Sequence, residues 1–450
     1  MIVKKYWQML ILLFIPVYYL ERAISLIGIS EFEISGTNAT AVLTIIVSFF
    51  GIQSSLLTSR SSLLCALFWY FNLIFFGITQ LLIINDSQAY YLNHLYVNPD
   101  YQYASNLVLI SSLLFLAGQW LGNVKYQNRE FESIKLNQKL FVKKIRIAFY
   151  LYIIFMPLII AMLGGFSYLF KFSRNDEIPF SADSSVYNIL QSVLYVCPVV
   201  FLVIDRWYRN KFHVPCLNNF KANSLLILII LLSNPFGQSR QLTIFLIFPI
   251  LYIYLIKRET LRIAFFAFLP ILMLTTNESI NRDTGKFSGF KFVLTSRHGD
   301  FDAFSQLMNS INAIKLGAFP IFHQIQGSLF FFLPRTYFQS KPKDSGAVIG
   351  ETFSLGFRNL SAPWQSELLV NFRLIGLIAG AFIFGFMLMK TEKNLQIDSI
   401  SSIYSAITFG CLFILLRGSL LQATGRIVFS FILIFLLTSF HLQRSKKLRI

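Results

Sequence analysis

The stretch Ala313–Leu333, AIKLGAFPIFHQIQGSLFFFL, is long and oily enough to invite reading as a membrane crossing. A bilayer's hydrocarbon core takes about 20 apolar residues of helix. Yet Lys315, Pro320, His323, Gln324 and Gln326 interrupt this one. If it crosses, every later segment changes side; if it does not, it belongs to one very large loop. The rest of the chain has to choose between the two.

The chain has 450 residues, 55% of them hydrophobic and 13% charged, with 49 Phe. Soluble domains carry roughly 25% charged residues, so repeated apolar runs here mark an all-α, polytopic integral membrane protein. The net charge of +18 is scattered between apolar segments, which makes it topology information and not a nucleic-acid surface. No nucleic-acid partner is expected. Cys65, Cys197, Cys216 and Cys411 form no metal-ligand spacing and the five His are dispersed, so no metal is expected. Lys4 and Lys5 precede a long run from Trp7 without a small-residue cleavage site, which predicts a retained first helix.

About twelve spans are expected. They lie near Trp7–Ile29, Ala39–Leu57, Leu63–Ile84, Ala104–Val124, Ile147–Phe170, Val186–Ile204, Ala222–Pro235, Leu242–Ile256, Arg262–Thr275, Glu367–Met389, Ile400–Leu416 and Ser419–His441. With Lys4 and Lys5 in the cytoplasm, the loop Lys125–Arg146 falls inside with seven Lys/Arg. So do Arg206, Arg209, Lys211, Lys221, Lys257, Arg258, Lys390, Lys393 and the tail from Arg444 to Arg449. The outward loops Ser30–Asn38 and Asn85–Tyr103 contain no Lys or Arg. One extra span would reverse this agreement downstream. Ala313–Leu333 is therefore read as a helix lying in the interface or re-entering it. The chain divides into residues 1–275 (nine spans), a large extracytoplasmic loop over 276–366, and residues 367–450 (three spans and a basic cytoplasmic tail).

That outer loop still holds nine basic residues, among them Arg297, Arg335 and Lys341. Long loops are exempt from the orientation rule, so their charge needs another account. Further arginines sit at the outer ends of spans: Arg22, Arg373, Arg417 and Arg426. Arg240 lies in the polar turn SNPFGQSRQL between two unusually short apolar segments. Singly, Arg22 can pair with Glu21, and Arg373 or Arg426 can snorkel to the interface. Together they share one layer with few acids, and Arg is suited to bidentate phosphate recognition. A lipid-linked phosphate or pyrophosphate in the outer leaflet would account for the set. The segment SRHGDFDAF (Ser296–Phe304) adds Arg297, His298, Asp300 and Asp302, which suit acid–base work but also occur in solvated loops. No Walker A, GxSxG or HExxH sequence is present. Gly376 and Gly380 form a GxxxG that reads as close helix packing. Trp364, Tyr337 and Phe338 read as interfacial anchors, with sugar stacking the other possibility.

The layout resembles the Wzy-type oligosaccharide repeat-unit polymerases of bacterial O-antigen and capsule synthesis. Four features carry it: about twelve spans with a large outer loop before the last three; SNPFGQSRQL, similar to that family's polar turn ending in Arg; SRHGDF, with Arg297 followed by Asp300; and LPRTYFQSKPKDSG, then GETF, then APWQSELLVNFRLIGLIAGAFIFG. Arg335 and Gly346 also enclose ten residues, as in a loop motif of some members. Arg373 departs from the pattern, standing where the family more usually has Gly.

The resemblance implies a GT-C-like polymerase/ligase architecture in the bacterial inner membrane, with both termini cytoplasmic. It implies transfer of a growing glycan from one undecaprenyl pyrophosphate to the non-reducing end of a fresh lipid-linked repeat. No cofactor is required, because the donor carries its own leaving group. Glu367, Asp300, His298 and His323 are the candidates for general base, unranked. Arg335, Arg240, Arg297, Lys341, Arg373, Arg417 and Arg426 are the candidates for pyrophosphate and substrate binding. Expected partners are the lipid-linked oligosaccharide and the bilayer, with a chain-length regulator and a flippase as further candidates. An O-antigen ligase would share most of this design. A lipid-linked oligosaccharide flippase or transporter is the competing class, against which stands the lack of an internal repeat of two halves.

Overall fold

The computed structural model describes residues 36–57, 61–85, 96–124, 135–170, 184–234, 238–281, 286–287, 301–355, 360–393, 400–439 and 442–443, with scattered helical positions over 7–25. Arg22, Arg297, His298 and Asp300 lie outside the described residues.

The fold is helical. Its helices are α1 (Gly36–Leu56), α2 (Leu63–Asn85), α3 (Asn98–Val124), α4 (Gln138–Met162), α5 (Ser184–Phe212), α6 (Asn219–Leu232), α7 (Arg240–Leu255) and α8 (Glu259–Ser279). Then follow α9 (Ala303–Lys315), α10 (His323–Leu329), α11 (Ser345–Thr352), α12 (Trp364–Lys393), α13 (Ser401–Arg417) and α14 (Leu420–Thr438). Among the described residues seven helices are long and apolar enough to cross a membrane: α1, α2, α3, α4, α5, α12 and α14. Three apolar helices, α6, α7 and α13, are shorter.

Apolar side chains on many of these helices point outward, for example Ile154 on α4 and Ile375 on α12. That is the expected surface of a protein solvated by lipid. α2 forms the centre and is buried over nearly its whole length. It widens to a π-helical turn at Asn72–Ile78, and its polar groups find partners on flanking helices. Asn72 donates to Ser48 Oγ (2.9 Å) and Ser112 Oγ (3.1 Å), and Trp69 Nε1 to Gln119 Oε1 (2.7 Å). In lipid such pairs matter because no water can replace a missing partner.

α3 and α12 pack backbone to backbone. A Cβ on Gly118 would lie 2.0 Å from Phe382 O, and one on Gly385 2.2 Å from Phe115 O. Gly376 and Gly380 behave differently from the helix-pairing motif expected of them. The space they leave is filled by Phe372 and Leu368 of their own chain, because α12 breaks at Arg373 (φ 58°, ψ −153°) and its first turns fold back.

Long-range contacts sort into two ends of the bundle. At one end Glu392 receives the Leu63 and Leu64 amides, Arg262 donates to Ser61, and Gln8 donates to Glu259. Two-residue strands at Lys135–Leu136 and Leu442–Gln443 also pair there, antiparallel. At the other end Lys315 bonds Asp100 (3.2 Å), and the Arg417 carbonyl accepts from Ala362 N (3.0 Å).

Ala313–Leu333 is not the single interfacial helix expected of it. α9 ends at Lys315, Gly317 turns with φ 77°, and Phe322 takes φ 63° before the short α10 begins. Glycine and proline punctuation at Gly317 and Pro320 defeats the apolar continuity.

Candidate functional site

Three loops and the first turns of α12 and α14 meet at the second end of the bundle. The α13–α14 hairpin starts their assembly. Ser419 caps α14 through its side chain, which receives Gln422 N, and its hydroxyl bonds Asp344. Asp344 in turn caps α11, accepting Gly346 N at 2.9 Å. One carboxylate thus joins the caps of two helices. Burial pushes the Asp344 carboxyl above its ordinary value, and bonds from Ser419, Gly346, Ala347 and Gln422 oppose that.

Glu367 sits in the first turn of α12 and is 7% exposed. The Ser345 hydroxyl and the Leu420 amide lie against its carboxylate, and Asp344 is its acidic neighbour. Asn371 Nδ2 donates to its backbone carbonyl (2.9 Å) and approaches Oε2 at 3.4 Å. Its Oε1 is buried and has no hydrogen bond among the described residues. A carboxylate held through one oxygen with the other buried and unbonded is suited to accept a proton, because leaving such an oxygen unpaired is costly.

The arginines separate into two groups. Arg417 pairs with Asp302 (3.4 Å), which also accepts from Ser361 Oγ (2.7 Å). Its guanidinium lies over the Phe75 ring. The shortage of acids expected at this layer is therefore relieved for Arg417 by a residue 115 positions away. Arg335 donates to the carbonyls of Lys341 (2.6 Å) and Pro342 (3.0 Å), and Lys341 Nζ to those of Phe331 and Leu333 (both 2.8 Å). These two, expected as a pyrophosphate clamp, lace their own proline-bounded loop together. Arg373 bonds Phe319 O (2.5 Å) and Val370 O (3.1 Å) across the break in α12.

Arg426 differs. It lies on α14 among Ala423 and Ser430, both buried, yet is itself only partly covered. Its titratable neighbours are Tyr195, Tyr168 and Cys411, and none of the ion pairs among the described residues includes it. Six residues beyond Leu420, it stands roughly 9 Å further along the helix axis. Gln191 donates to Tyr168 (2.8 Å) and Tyr187 (3.0 Å), continuing this polar patch. Arg240 opens α7 behind its Ser239 cap, partly covered, and the neighbouring Gln241 approaches Gly418 in the hairpin.

His323 is the first residue of α10 and partly exposed. Trp364 is neither a surface anchor nor a sugar platform. It is 5% exposed and packs its ring on Phe68 and Phe384. Tyr337, at 85%, is fully open. The partners of Asp302, Asp344 and Asn371 lie on other elements and leave no local pattern in the sequence.

Compared with protein-family models, with curated proteins and with solved structures, the chain matches none significantly.

Proposed function

We propose that the chain polymerises undecaprenyl-pyrophosphate-linked oligosaccharide repeat units at the outer face of the bacterial inner membrane. The observation that carries this reading is a carboxylate and a cation toward the same end of the bundle. Among the described residues, Glu367 keeps a buried carboxylate oxygen without a hydrogen bond, and Arg426 stands in no ion pair. A base and a cation are what the transfer needs. The acceptor hydroxyl gives its proton to the base as its oxygen attacks the donor's anomeric carbon. The bond to the pyrophosphate oxygen breaks, and undecaprenyl pyrophosphate leaves with the electron pair, its charge met by arginine. His323 and Arg240 stand nearby as further candidates, and neither nucleotide nor metal enters the scheme.

In this reading about twelve spans cross the membrane, both termini are cytoplasmic, and residues 276–366 form the outer loop. The sorting of contacts supports it. Segments assigned to the cytoplasm by their Lys/Arg content touch one another, as Lys135–Leu136 touches Leu442–Gln443. Segments assigned outside do likewise, as Lys315 touches Asp100.

A deletion strain analysed for surface polysaccharide tests the proposal. Polymerase predicts single-repeat product at the surface. Loss of surface attachment would make the chain a ligase, and intracellular accumulation of unflipped lipid would make it a flippase.

A further inference from the structure

Asn371 is 1% exposed, and both ends of its amide are used. Its Oδ1 accepts from Ile325 N on α10 at 2.7 Å. Its Nδ2 donates to Glu367 O at 2.9 Å and faces Glu367 Oε2 at 3.4 Å. Its backbone carbonyl accepts from Phe322 N at 3.0 Å, at the left-handed residue that starts α10. Two residues on, α12 breaks at Arg373, whose guanidinium holds Phe319 O in the loop leading into α10. One side chain thus bridges the helix bearing His323 and the carboxylate of Glu367.

Only an amide suits this place without rearrangement, because it needs an acceptor toward α10 and a donor toward Glu367. With Oε2 facing Asn371 at 3.4 Å, Oε1 is the buried oxygen that lacks a hydrogen bond among the described residues. We propose that Asn371 is a positioning residue, through which the docking of α10 fixes the carboxylate of Glu367 for proton transfer. This rests on Glu367 being the base of the transfer proposed above.

Asn371→Asp separates positioning from scaffolding. It keeps the acceptor for Ile325 N and replaces the donor with a second carboxylate oxygen beside Oε2. Groups facing Glu367 are Asp344 at the cap of α11, the Ser345 hydroxyl, the Leu420 amide of α14, and α10 with His323 at its start. The substituted carboxylate sets a second negative charge beside Oε2, which favours the protonated form of Glu367.

The assay uses membranes carrying the full chain and the lipid fraction extracted from the deletion strain, with polymer formation followed across pH. N371D is expected to lower kcat roughly 100-fold, with KM little changed. The acid limb of its kcat profile moves to higher pH. In an E367Q background N371D adds no further loss, because it acts through the carboxylate. N371A serves for the kcat and coupling measurements if N371D fails to accumulate in the membrane. An inactive E367Q beside an N371D of normal rate and pH profile would overturn the inference and leave the polymerase reading standing. A fully active E367Q overturns both.

Discussion

The Arg373 guanidinium donates to the Phe319 carbonyl at 2.5 Å across a break in α12 that Arg373 itself creates, with φ 58° and ψ −153°. That backbone region is nearly glycine-only, and holding another residue there costs about 1–3 kcal/mol. Asn371, Gly376 and Gly380 are arranged around the same joint. R373A keeps the strain and loses the bonds, whereas R373G loses the bonds and relieves the strain. R373G is therefore expected to be more stable than R373A by about 1 kcal/mol, read from thermal unfolding in detergent. R373A as the more stable variant would mean that the helix runs unbroken through 373.

At the opposite end of α12, Glu392 accepts from Leu63 N (2.8 Å), Leu64 N (2.9 Å), Ser62 Oγ (2.5 Å) and Tyr252 OH (3.1 Å). It closes the N-terminus of the central helix. E392A strands these donors and should cost about 3 kcal/mol or more, seen as lower membrane abundance and a lower Tm. Activity per folded molecule should hold, because Glu392 lies roughly 35 Å along the helix from Glu367.

Asp344 gives a pH test. Its folded-state carboxyl is raised above the ordinary value of 3.8 by burial, so folding favours the protonated form. That contribution is complete below the ordinary value and is lost as pH rises through the raised one. D344N keeps an acceptor for Gly346 N but does not titrate. Its Tm relative to wild type should therefore climb as pH increases over this window, and a flat difference would contradict the assignment.

Arg335 and Arg426 are expected to fail in opposite ways. R335A removes two bonds that hold the 331–342 loop and should lower Tm, with activity falling as the loop loosens. R426L removes a half-buried charge that has no ion pair among the described residues. It should leave Tm unchanged or raise it, yet abolish polymer formation. R426K should recover only part of the activity, since an ammonium offers no bidentate fork to a phosphate. Thermal unfolding set beside polysaccharide gels distinguishes the two.

Much of the helical framework was legible in the apolar runs, because their length and hydrophobicity alone commit them to lipid. The span expected over Leu63–Ile84 corresponds to α2 at Leu63–Asn85, and the short pair around SNPFGQSRQL to α6 and α7. Site geometry was far less legible. Glu367, Arg417 and Arg426 could be named because ionisable groups near lipid stand out. What each bonds to could not, since Asp302 meets Arg417 and Asn371 meets Ile325 only after folding. The bonds of Arg335 were hidden for a related reason: a basic residue in a proline-bounded loop looks the same in sequence whether or not it binds its own carbonyls. The helix expected over Ala313–Leu333 failed on backbone conformation, at Gly317 and Phe322, which composition does not report.

The most direct measurement reconstitutes the purified chain in liposomes with lipid-linked repeat units extracted from the deletion strain, without nucleotide. The account predicts a ladder growing by whole repeats, release of undecaprenyl pyrophosphate, and loss of both in E367Q and R426L. No lengthening by active wild-type protein, or an undiminished ladder from both variants, would contradict it.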